Sequence, residues 1–162
     1  MTSPSPFAIF YFLLTLSIAM VMRIMDIFPG LAEFNPDWIA LVLIYWCIAL
    51  PERFGVFTAF TVGLFTDVLT SHLLGQNALI YALFSYFSIR QHRRLRQFPV
   101  PQQCLFVLFC LSCGQIMVFG MQSMQAANHL PLSSWYPVLT GTLAWPLVFL
   151  VLRAIRVLTR IS

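Results

Sequence analysis

Asp67 is the acid that stands inside an apolar stretch of this chain, and its chemistry is the first question. A carboxylate at the centre of a lipid-embedded helix costs about 2.5–3.5 kcal/mol on insertion scales, and less near a helix end. Such a group contacts an ion, a proton or a ligand, or it anchors one helix to another. Gly63 lies four residues before Asp67, on the same helical face, and would let a second backbone approach. Ser112, Gln115, Gln122 and Gln125 fall broadly on one side of a 3.6-residue helix. Polar side chains in lipid face the bundle interior. Gln122 and Gln125 are therefore expected near the depth of Asp67, as the wall of a polar cavity or as simple helix-to-helix hydrogen bonds. Asp67→Asn, which keeps size and hydrogen bonding, is expected to preserve function.

The remaining reactive residues form no constellation. Cys110-x-x-Cys113 has the spacing of a redox or metal pair, but no His or second Cys pair completes it, and small packing residues are the expectation. His72 and His129 fall in expected outer loops and His92 among arginines, without partners at metal spacing. Walker, HExxH, GxSxG and paired-carboxylate patterns are missing. The expectation is a non-enzyme with no cofactor and no metal.

The elements that must position these residues follow from composition. The chain has 162 residues, 60% of them hydrophobic and 9% charged, with a mean hydropathy of +0.86. Soluble domains run at about 25% charged residues. A soluble enzyme, a nucleic-acid binder and a disordered regulator are thereby excluded, and the chain reads as one integral membrane domain over 1–162. A crossing needs about 20 apolar residues. Candidate runs are Phe7–Met22, Trp38–Leu50, Phe54–Leu69, Leu73–Ile89, Cys104–Met124 and Trp135–Leu152. Met1–Pro6 carries no basic residue and no A-x-A-like site follows the first run, so that run is expected to stay as an anchor.

All nine basic residues are Arg. The loop from Arg23 to Asp37 holds one Arg and three acids, whereas Arg90 to Pro101 holds four Arg and no acid. The positive-inside rule places the second loop in the cytoplasm and the first outside. An odd number of crossings must separate them, and three short ones satisfy that count. Six crossings then put both termini in the cytoplasm, with eight arginines inside and Arg23 outside. Arg90, Arg93, Arg94, Arg96, Arg153, Arg156 and Arg160 form two basic clusters that set topology and attract anionic lipid, or dock a cytoplasmic partner. Pro146, beside Gly141 and Thr142, invites a kink in the last run.

Several local patterns occur in a specific order. Asn35-Pro36-Asp37-Trp38 opens the second run, which continues through Leu41, Leu43, Tyr45-Trp46 and Ala49-Leu50-Pro51. Gly63-x3-Asp67-x7-Gly75 follows, and Gly141-x3-Trp145-Pro146 precedes the terminal arginines. Across nearly the whole chain this order resembles the MreD family of rod shape-determining proteins, most closely its proteobacterial members. The resemblance implies a multi-pass subunit of the bacterial inner membrane. It implies work with the bitopic protein MreC, with MreB, and with the glycosyltransferase RodA and its partner transpeptidase. It also implies an all-α bundle similar to the substrate-binding components of energy-coupling-factor transporters, although fold does not settle function.

Two functions stay open. One is an interaction protein that holds MreC and helps to position peptidoglycan synthesis. The other is a small-molecule or lipid binding or transport subunit using a cavity around Asp67, with Gly63, Gly75, Gln115 and Gln122 as its site. For the first, a partner helix is expected in a lipid-facing groove of the second and sixth runs, marked by Leu43, Trp46, Trp145, Pro146 and Val148. Association there would rest on close packing, because lipid tails are as apolar as Leu.

Overall fold

The computed structural model describes residues 6–25, 34–70, 74–123 and 132–158. Among them all regular structure is helical. The α-helices are α1 (Pro6–Ile24), α2 (Trp38–Ala49), α3 (Val56–Thr70), α4 (Gln76–Leu95), α5 (Val100–Ser123) and α6 (Tyr136–Leu158), with a 3-10 turn at Leu132–Trp135 leading into α6. By length and composition, Val100–Ser123 and Tyr136–Leu158 are long and apolar enough to cross a membrane, while Ala8–Ile24, Trp38–Ala49 and Val56–Thr70 are shorter apolar helices.

The shortest helix is the centre of the molecule. WIALVLIYWCIA is apolar on every side, which is the signature of a helix surrounded by others. Eleven residues of α2, Ile39–Ala49, are buried, and α2 packs against α4, α1 and α6. Its 12 residues rise about 18 Å at about 1.5 Å each, well short of about 30 Å of hydrocarbon. Both ends therefore need protein partners for their unpaired backbone groups. Asp37 serves the first end, its carboxylate accepting the Ala40 N–H at 3.2 Å. Arg96 serves the other, Nε donating to the Ile48 carbonyl at 2.9 Å and Nη2 to the Ala49 carbonyl. An anion at the start and a cation at the end both complement the helix dipole.

The helix ends sort into two sets. Arg23, Asp37, Asn77, Gln122 and Val138 meet around one cavity. Ile48, Arg96, Gln103 and Arg153 meet around another. Asp67 joins the end of α3 to the start of α4. Successive helices thus run in alternating directions. The outer surface is strongly apolar, with Phe57, Phe65 and Leu143 among the large exposed side chains, as expected of a surface that faces lipid.

Three boundaries differ from the sequence reading. Helix α4 continues through the arginine cluster to Leu95, because basic residues are favourable in a last helical turn. Helix α5 starts at Val100, since Pro is tolerated in a first turn, where its missing N–H has no helical partner. Helix α6 runs through Pro146 to Leu158, so Arg153 and Arg156 stand on a helix rather than in a tail. Arg160, Gln125, His72, His129 and Glu33 lie outside the described residues.

Candidate functional site

Arg23, at the end of α1, points back to the start of α2, where its Nη1 lies 2.5 Å from Asp37 Oδ1. The Tyr81 hydroxyl of α4 reaches the same carboxylate at 2.9 Å from each oxygen. Arg23 also donates to the Tyr81 oxygen at 3.2 Å. Asn35 completes the clasp, receiving the Trp38 indole N–H at 3.0 Å and donating to the Arg23 carbonyl. Tyr81 is fully buried, whereas Arg23 and Asp37 keep about a fifth of their side chains exposed, at 21% and 23%. The charges neutralise each other, so the cluster joins three helices without leaving a poised acid or base.

This clasp forms one wall of a cavity of about 360 Å³. Asn77, Gln115, Gln122, Leu111 and Gly114 supply other parts of the lining. Two buried atoms there, Asn77 Nδ2 and Gln122 Oε1, have no hydrogen-bond partner among the described residues. Both residues line a space with room for several waters or a small polar ligand, taking about 30 Å³ per water.

Asp67 sits behind this cavity, not in its lining. Its carboxylate is fully buried and accepts the N–H groups of Gly75 at 2.8 Å, Asn77 at 3.0 Å and Ala78 at 3.4 Å. These are free donors of the first turn of α4, and an anion there is favoured by the helix dipole. Gly75 allows the turn by adopting φ +99°, a conformation that favours glycine. Gly63 allows the approach. A Cβ at that position would collide with the Ala78 Cα and lie 2.6 Å from its nitrogen. The cavity expected around Asp67 is instead built around Asn77, which touches Asp67 with its backbone and the cavity with its side chain.

The expected partner groove is also displaced. Leu43 and Trp46 are buried because α2 packs between α1, α4 and α6, and Trp145 of α6 is buried in the same core. The Trp46 indole donates to Thr15 Oγ1 of α1 at 3.1 Å, and Pro146 is half-buried. An open apolar groove of about 180 Å³ does exist, but between α1 and α6 over one edge of α2. Thr15, Ala19, Val42, Val148, Val151 and Leu152 line it, so Val148 alone of the five expected residues takes part.

The basic clusters divide in two. Arg93 and Arg94 are exposed, and Arg90 donates to the Tyr86 hydroxyl at 3.0 Å. Arg96, Arg153 and Arg156 turn toward a second cavity, beside Tyr45 and Gln103. Sequence reasoning missed Arg23, Asp37 and Tyr81 as a unit. The available signal was an isolated arginine facing an acid across the same short loop. Among the described residues no group of three His, Cys, Asp or Glu is placed to hold a metal.

The family model described as rod shape-determining protein MreD matches residues 5–155. The rod shape-determining protein MreD of Haemophilus influenzae is 27% identical over 147 residues, covering 87% of this chain and 89% of that protein. No solved structure matches, and the likeness to energy-coupling-factor components therefore has no support. With a match over nearly its whole length, and with helices compatible with membrane spans, the chain belongs to the MreD family of rod shape-determining proteins.

Proposed function

We propose that this protein is a non-enzymatic, six-crossing subunit of the inner-membrane elongation machinery, with both termini cytoplasmic. In this reading it holds MreC and helps to position peptidoglycan synthesis by RodA and its partner transpeptidase, in register with MreB. The observation that carries the reading is the commitment of two acids at helix ends. The half-buried Asp37 is paired with Arg23 and accepts from Tyr81, and the fully buried Asp67 accepts three backbone N–H groups. Both serve to hold helices in place, which is what a scaffold needs.

In this reading the membrane helix of MreC packs in the groove between α1 and α6, where the small Ala19 and Thr15 on the α1 side allow the close approach on which association in lipid depends. A photo-reactive residue at Ile18 or Val151, both about half exposed, is expected to crosslink to MreC in a functional complex. Crosslinks from Phe65 and Phe119 alone, on other outward faces, would overturn the groove.

A second reading, binding of a small polar ligand, is favoured by the unpartnered Asn77 Nδ2 and Gln122 Oε1 of two residues that line the cavity of about 360 Å³. A depletion strain separates the two. Rounded cells with unchanged small-molecule uptake support the scaffold, and an uptake defect in cells of normal shape supports the ligand.

A further inference from the structure

The second cavity, at the arginine-rich end, is distinct from the groove between α1 and α6 and from the cavity beside Asn77. It has a volume of about 250 Å³ and opens between α2, α5 and α6. Trp145, Phe149, Arg153 and Arg156 contribute from α6. Their spacing of four, four and three residues sets them along one helical face. The aromatic residues form the deep part and the arginines the mouth. Tyr45 and Trp145 pack against Phe149 with ring centroids 5.9 and 6.3 Å away.

The polar atoms in the deep part are unusual. The Tyr45 hydroxyl and the Trp145 indole nitrogen are buried without a hydrogen-bond partner among the described residues. Tyr45 is 3% exposed and Trp145 0%. A buried donor left unpaired costs about 1–3 kcal/mol, so both call for an acceptor. Gln103 adds one acceptor. Its Nε2 donates to the carbonyls of Leu95 and Phe98 at 2.9 and 3.2 Å, which fixes the amide and leaves Oε1 unpartnered. Arg96 is already held in place by the Ile48 and Ala49 carbonyls, and so presents a pre-oriented guanidinium. No carboxylate lines the cavity among the described residues.

Guanidinium groups at the mouth, neutral donors below them and apolar rings beside them match one chemistry: a phosphate on an apolar stem. We propose that this cavity binds the phosphate of an anionic membrane lipid, with Arg153 and Arg96 holding its oxygens and the Tyr45 hydroxyl and Trp145 N–H donating to it. Basic pockets between membrane helices are suited to such head groups. The Gln103 Oε1 would accept from a hydroxyl of the head group.

The test uses the full chain in a neutral detergent, with lipid binding followed by native mass spectrometry. Phosphatidylglycerol should bind about tenfold more tightly than phosphatidylcholine, whose phosphate is the same but whose choline cation meets the arginines and offers Gln103 no hydroxyl, a difference on the scale of one hydrogen bond. Arg153→Gln should weaken phosphatidylglycerol about tenfold, and Tyr45→Phe, which removes one hydroxyl and keeps the ring, should weaken it several-fold. Arg93→Gln, an exposed arginine outside the cavity, should change nothing. Equal losses from Arg93→Gln and Arg153→Gln, or no loss from Tyr45→Phe, would overturn the site. Displacement of the lipid by an equal concentration of inorganic phosphate would overturn the lipid as the source of the phosphate.

Discussion

The Asp67 carboxylate accepts the Gly75 N–H at 2.8 Å, eight residues along the chain. This contact joins the end of α3 to the start of α4. Of the two roles open to this acid from the sequence, a contact for an ion, proton or ligand and an anchor between helices, the contact is that of an anchor. Asn77 and Ala78 share the same carboxylate, so both oxygens face backbone donors.

Substitution of Asp67 is therefore less tolerant than the sequence implied. Asparagine keeps one acceptor oxygen but turns an NH₂ group toward a backbone N–H. Asp67→Asn is expected to lower stability by about 1–3 kcal/mol, the cost of an unsatisfied buried group. Asp67→Leu, which leaves every donor of that turn unpaired, should cost more. Thermal unfolding of the purified variants in detergent reads the order. An Asn variant as stable as the parent would show that the carboxylate contacts carry no weight.

Arg23 and Asp37 should be energetically coupled. The pair is partly exposed, with side chains 21% and 23% accessible, which reduces its value below that of a fully buried pair. Asp37 also caps α2 and accepts from Tyr81. A double-mutant cycle of Arg23→Gln and Asp37→Asn is expected to give a coupling of about 1 kcal/mol. Additive effects in thermal unfolding would mean that the clasp does not act as a unit.

Glycine substitutions should separate a close helix contact from an open surface. A Cβ at Gly63 would lie 2.6 Å from the Ala78 nitrogen and 2.7 Å from the Asn77 carbonyl oxygen, both backbone atoms that cannot step aside. Gly63→Ala should destabilise by about 1–3 kcal/mol through overpacking. At Gly120, with no atom within 4 Å of the added Cβ, alanine should gain about 0.5–1 kcal/mol of helix stability. Melting temperatures shifted in opposite directions are the expected result, and parallel shifts would contradict the α3–α4 packing.

The alternation of helix direction gives a topology test. Reporter fusions at Thr70 and at positions 33 and 128 are expected to report the periplasm, and fusions at Gln97 and the C-terminus the cytoplasm. A cytoplasmic signal at Thr70 would remove one of the short crossings between the two oppositely charged loops.

Composition and the run of apolar segments were enough to establish a helical membrane bundle, because so few charged residues cannot cover a soluble surface. The order of short patterns from Asn35 to Trp145 was enough for the family. The apolar run of α2 was legible as Trp38–Leu50, but the Asp37 cap at its start and its burial on every side came from the fold. What the sequence left open was which side of each helix faces protein. In a lipid environment inward and outward faces are both apolar, so the periodicity that separates them in soluble proteins fades. Leu43 and Trp46 therefore read as a lipid-facing groove, although tertiary packing buries them. Only the fold could bring Tyr81 to Asp37 across 44 residues. Only the fold could set Tyr45, Gln103 and Arg153 around one cavity. Each pairing depends on how helices with similar apolar surfaces choose their neighbours, and that choice is made by close contacts such as Gly63 against Ala78 rather than by any pattern along the chain.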